Sequence, residues 1–103
     1  MASSIISNAI QGKFREDRTY TLAASSAMNI QLLPEGIWLV KVSSTNAPAY
    51  GLFVIATNGT GIVHIEQICA AGVTATINSG GTALVTISNT YQYAAENIRA
   101  VLL

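Results

Sequence analysis

The 103-residue sequence predicts an all-β fold: an antiparallel sandwich or jelly roll of about eight short strands, with a short N-terminal arm before it. Three observations carry this expectation. Runs of four to nine residues alternate apolar and polar side chains and are rich in Val, Ile and Thr. Turn-forming residues interrupt these runs at intervals of about ten residues, the spacing of an all-β domain. No long amphipathic helix separates the runs, which disfavours a parallel α/β arrangement.

The elements follow in chain order. Ile5, Ile6, Ala9 and Ile10 fall on one face of a short helical segment that Gly12 ends. So short a helix is marginal alone in water and needs a surface to lie on. Residues 1–13 are therefore expected to form an attachment arm through Ile5, Ile6 and Ile10, and residues 14–103 the β domain. The first two strands are expected over 19–22 and 27–33, the second ended by Pro34-Glu35-Gly36. Along 37–43, Trp38, Val40 and Val42 lie on one face and Ile37, Leu39 and Lys41 on the other. Thr45 to Pro48 has the chemistry of a loop, and a strand over 50–57 is apolar on both faces. Asn58-Gly59 signals a hairpin into a strand over 61–68. Val73, Ala75 and Ile77 alternate with Thr74, Thr76 and Asn78. After Ser79-Gly80-Gly81, Ala83, Val85 and Ile87 alternate with Thr82, Thr86 and Ser88. An irregular stretch carries Tyr91 and Tyr93 before a last strand over 97–103.

Composition narrows the class of function. Charged residues make up 10% of the chain, against about 25% in ordinary domains. Ser, Thr and Asn keep the surface wet instead, so little charge repulsion opposes contact with another protein. The formal net charge of zero argues against a nucleic-acid partner, which demands a basic footprint. No basic cluster suited to a membrane surface is present. The opening segment has neither the charged start and apolar core of a signal peptide nor the length of a membrane span. The chain is expected to stay in the cytoplasm or to leave it inside something else. Half of the charges crowd into Lys13, Arg15, Glu16, Asp17 and Arg18. This cluster is expected as a solvated strand edge, with a polar intersubunit contact as the alternative.

The supply of catalytic groups is thin. His64 is the sole histidine, Asp17 the sole aspartate and Cys69 the sole cysteine. A Ser–His–Asp arrangement would need both of the first two, and no serine sits in a nucleophile elbow. His64 and Glu66 share a strand face but fall short of a zinc ligand set. Cys69 ends an apolar run and is expected as a buried structural thiol. Glu35, Glu66 and Glu96 are scattered acids, and the glycine pairs connect strands without opening a helix that could hold phosphate. Asn58-Gly59-Thr60 is explained as a turn without invoking glycosylation. Trp38, Tyr50, Phe53, Tyr91 and Tyr93 could form a sugar platform but are better placed as core. No enzyme activity, metal or cofactor is expected. The doubly apolar strand over 50–57 is either central in the fold or covered by another subunit. Ile98, Val101, Leu102 and Leu103 repeat the pattern at the last strand.

The stretch over 36–103 carries Gly-Ile-Trp-Leu-Val-Lys-Val at 36–42 and Ala-Tyr-Gly-Leu-Phe-Val-Ile at 49–55. Gly-Ile-Val-His-Ile at 61–65 and Ser-Gly-Gly-Thr-Ala-Leu-Val-Thr-Ile-Ser-Asn at 79–89 follow. In this order it resembles the small β-sandwich heads of bacteriophage fibres and the related trimeric capsid-decoration proteins. The likeness covers about two-thirds of the chain and is one of style rather than of a signature motif. It implies a homotrimer within a virion, assembled in the host cytoplasm, with other virion proteins such as major capsid or tail proteins as partners. The trimer interface is then expected at Tyr50, Leu52, Phe53, Ile55, Val101 and Leu103. Only a short segment precedes the domain where a fibre would have a shaft, which favours a small stand-alone decoration protein or adaptor. The alternative is a receptor- or carbohydrate-binding tail-fibre tip using loops at Asn46, Tyr91 and Tyr93.

Overall fold

The computed structural model describes residues 14–44, 49–90 and 95–103, the last segment with side chains from 97 onward. Eight strands run in order: β1 (Glu16–Leu22), β2 (Ser26–Gln31), β3 (Gly36–Ser43), β4 (Tyr50–Asn58), β5 (Gly61–Ala71), β6 (Val73–Asn78), β7 (Leu84–Asn89) and β8 (Ala95–Leu102). They form a five-stranded sheet ordered β1-β8-β3-β4-β5 and a three-stranded sheet ordered β2-β7-β6. Every pairing is antiparallel, and no helix occurs among the described residues. The all-β sandwich expected from the alternation is the fold observed. The expected attachment arm, with Ile5, Ile6 and Ile10, and the loop residues Asn46, Tyr91 and Tyr93 lie outside the described residues.

Alternation sorts each strand into an inner and an outer set. Trp38, Val40 and Val42 of β3, Phe53 and Ile55 of β4, and Ile98, Ala100 and Leu102 of β8 point inward. They meet Ile30 from β2 and Val85 and Ile87 from β7 in a single core, with Leu22, Leu32 and Val73 closing its margins. Burying Trp38 and Phe53 alone contributes several kcal/mol, at about 25 cal/mol per Å² of apolar surface. The indole N–H of Trp38 is satisfied by the Pro34 carbonyl at 3.0 Å.

Two glycines sit where a side chain would collide. At Gly36 φ is +146°, and an added Cβ would come within 2.8 Å of Leu102 Cδ1, so alanine there is both strained and crowded. Gly51 leaves room for the Phe53 ring two residues along the same face, 2.7 Å from where a Cβ would stand.

Strand boundaries depart from expectation where charge or turn chemistry intervenes. β1 begins at Glu16, inside the charge cluster. β1 is the edge of its sheet, as expected for this cluster, and Arg18 is also tied into the fold, donating to the Gln31 carbonyl at 2.9 Å and to the Leu33 carbonyl at 2.5 Å. Arg18 thus joins the edge of one sheet to the end of β2 in the other. The β4–β5 hairpin is also made differently. Neither central residue, Gly59 or Thr60, takes a positive φ. Asn58 stands before them as a side-chain cap, its Oδ1 accepting from the Thr60 and Gly61 amides, each at 2.9 Å.

Candidate functional site

The two outer faces of the sandwich differ in chemistry. On the three-stranded sheet, Asn29 and Gln31 of β2, Thr86 and Ser88 of β7, and Thr74 and Thr76 of β6 lie outward. Asn29, Thr86 and Asn78 are hydrogen-bonded across the three strands, at 2.7 Å from Thr86 Oγ1 to Asn29 Oδ1 and 3.1 Å from Asn78 Nδ2 to the same oxygen. Ala27 and Leu84 share that face, which is otherwise polar.

The outer face of the five-stranded sheet is apolar through its middle. Leu39 of β3 pairs with Val54 of β4 on one side and Val101 of β8 on the other. Ile37, Tyr50, Leu52 and Leu103 extend the patch, with Ile37 and Tyr50 at 42% and 48% exposure. Phe14, Leu39, Leu52 and Val101, with the stems of Lys41 and Arg99, line a cavity of about 150 Å³. Toward β1 the face turns polar. Thr19, Thr21, Lys41, Ser43, Asn97 and Arg99 line a second cavity of about 360 Å³. Lys41 and Arg99 border both.

Register explains this junction. Lys41 stands directly opposite Arg99 on the neighbouring strand, an arrangement that like charges disfavour. Asp17 of β1 offsets one of them: its Oδ1 and Oδ2 accept from Arg99 Nε at 2.9 Å and Nη2 at 2.6 Å. These charge-assisted bonds hold the Asp17 carboxyl below the usual carboxylate range and push Arg99 up. The Arg99 guanidinium also lies 5.7 Å from the Phe14 ring centroid. It is gripped by the acid and by the ring. Lys41 forms no ion pair among the described residues.

The six expected interface residues divide. Tyr50, Leu52 and Leu103 belong to the outer patch, together with Val101, which is only 6% exposed. Phe53 and Ile55 do not: they are 1% and 0% exposed in the chain's own core, because alternation along β4 turns them inward. Ile37, Leu39 and Val54 complete the patch and were not assigned to it from sequence. The strand over 37–43 had shown the first two on its second face, but which strands flank each other depends on β8 inserting between β1 and β3. Cys69 is exposed rather than buried. It lies opposite Leu52 on the outer side of β5, an edge strand. His64 Nε2 and Glu66 Oε1 stand 3.7 Å apart on exposed side chains, and no group of three or more metal-binding side chains occurs among the described residues.

Compared with known proteins, the chain matches no family model, no curated protein and no solved structure.

Proposed function

We propose that this chain is a non-enzymatic structural protein of a bacteriophage particle surface, of the capsid-decoration or head-fibre kind, and that it works as a homotrimer. The observation that carries the assembly half of this reading is the contrast between the faces. One is mostly polar, with Asn29, Thr86 and Asn78 hydrogen-bonded across its strands. The other is a contiguous apolar patch of Ile37, Leu39, Leu52, Val54 and Leu103, partly open to solvent. Contiguous exposed apolar surface marks interaction sites, and an obligate interface resembles a domain core cut in half. Sequence order over 36–103, with its likeness to phage fibre heads and decoration proteins, supports the virion half. Light scattering on the purified chain at micromolar concentration tests the assembly, with an expected mass about three times the 10.8 kDa chain. A folded monomer overturns it. Recovery in hundreds of copies from purified particles, with raised heat resistance of the particle, tests the decoration role, and scarcity there overturns it.

A further inference from the structure

We infer that the 360 Å³ cavity at the polar end of the five-stranded sheet is a binding site for a sugar acid, a monosaccharide-sized ligand bearing a carboxylate and several hydroxyls. Its volume sits at the low end of small-molecule sites, about 300–1,000 Å³, which suits one ring rather than a chain. Among the described residues the charge at its border is unbalanced. Lys41 and Arg99 face each other across two strands, and Asp17 is the carboxylate paired with them, held by Arg99 alone. An anion placed between the two cations would relieve the like-charge opposition that the register imposes.

Arg99 is prepared for such a role. Its pair with Asp17 uses Nε and one Nη2 hydrogen, and the remaining donors of the guanidinium lie outside that pair. The Asp17 contact and the Phe14 ring fix the plane of the group before any ligand arrives. Preorganisation of this kind lowers the entropy lost on binding.

The rest of the lining selects the hydroxyls. Thr19 from β1, Ser43 from β3 and Asn97 from β8 place hydroxyl and amide groups around the cavity, and such groups both donate and accept. A plain carboxylate would use the cations and leave these groups to water. A neutral sugar would use the hydroxyls and leave the cations unpaired. All these residues come from one chain, so the site does not depend on the proposed self-association.

Titration of the full chain with glucuronate, glucose and acetate, followed by amide chemical shifts, tests the inference. Glucuronate should bind saturably and at least about tenfold more tightly than either of the others, a gap of about 1.4 kcal/mol. Its shifts should centre on β1, β8 and β3. Lys41→Met should remove that preference while the protein stays folded, and Ser43→Ala should weaken glucuronate and glucose alike. Absence of saturable glucuronate binding, acetate binding as tightly as glucuronate, or an unchanged preference in Lys41→Met would each overturn it.

Discussion

The guanidinium of Arg18 lies 5.0 Å over the Trp38 ring while its two terminal nitrogens donate to the carbonyls of Gln31 and Leu33. One side chain thereby covers the largest core residue and ties the first strand to the end of the second. Charged-group hydrogen bonds contribute about 1.5–3 kcal/mol each, less where solvent reaches them, and a stacked cation adds about 0.5–1 kcal/mol. Arg18→Met keeps the stem but removes both. It should cost about 2 kcal/mol and lower the melting temperature by roughly 8–16 °C, at about 4–8 °C per kcal/mol for a domain near this size. Calorimetry at fixed protein concentration checks this, and a drop below about 2 °C would show that the carbonyls find water just as well.

Neighbouring residues on β4 should behave in opposite ways. Phe53 is 1% exposed, so Phe53→Asp buries a carboxylate without a partner, costs several kcal/mol and should unfold the chain. Leu52 points outward. Leu52→Lys should leave the circular dichroism spectrum intact and convert the assembly to monomers in light scattering. An intact trimer in Leu52→Lys would place the interface elsewhere.

The Asp17–Arg99 pair makes stability depend on acidity in a defined direction. Hydrogen bonds from Arg99 lower the folded-state pKa of Asp17. Its contribution is therefore full above the unfolded value of about 3.9 and is lost as pH falls from there through the lowered folded-state value. The melting-temperature difference between the native chain and Asp17→Asn should be constant from neutrality to about pH 5 and shrink progressively on further acidification. The pair is exposed, so the difference should be small and should shrink in high salt. A difference that grows on acidification would contradict this assignment.

Much of the fold is legible in the sequence because the signals are local. The alternation in Trp38-Leu39-Val40-Lys41-Val42 separates faces without knowledge of neighbours, and Ser79-Gly80-Gly81 marks a reversal by its own chemistry. What escapes is whatever depends on pairing across the chain. Nothing near Asp17 in sequence points to Arg99, because β1 meets β8 from the far end of the chain. Cys69 looks buried because its run is apolar, yet that run becomes a sheet edge on which Cys69 faces outward, into solvent. The apolar run over 50–57 could not separate Phe53 and Ile55 from Leu52 and Val54 by hydropathy, since both sets are apolar; only the direction of the pleat decides.

Strand β5 carries a consequence for the geometry of growth. It is the long, unpaired edge of the five-stranded sheet, and Val63 and Ile68 on it are 60% and 57% exposed. Such an edge invites a second copy to add on, sheet to sheet, without limit. Yet the ladder between β4 and β5 slips twice, between Leu52 and Phe53 and between Ala56 and Thr57. The extra residues at those slips are Ile68 and Val63 themselves. Each slip kinks the strand and throws its free amides and carbonyls out of line, so an incoming strand finds no straight run of partners. Under the proposed self-association, copies hindered from joining along β5 would meet through their faces, where rotational symmetry can close an assembly at a fixed number of subunits instead of letting it lengthen into a filament.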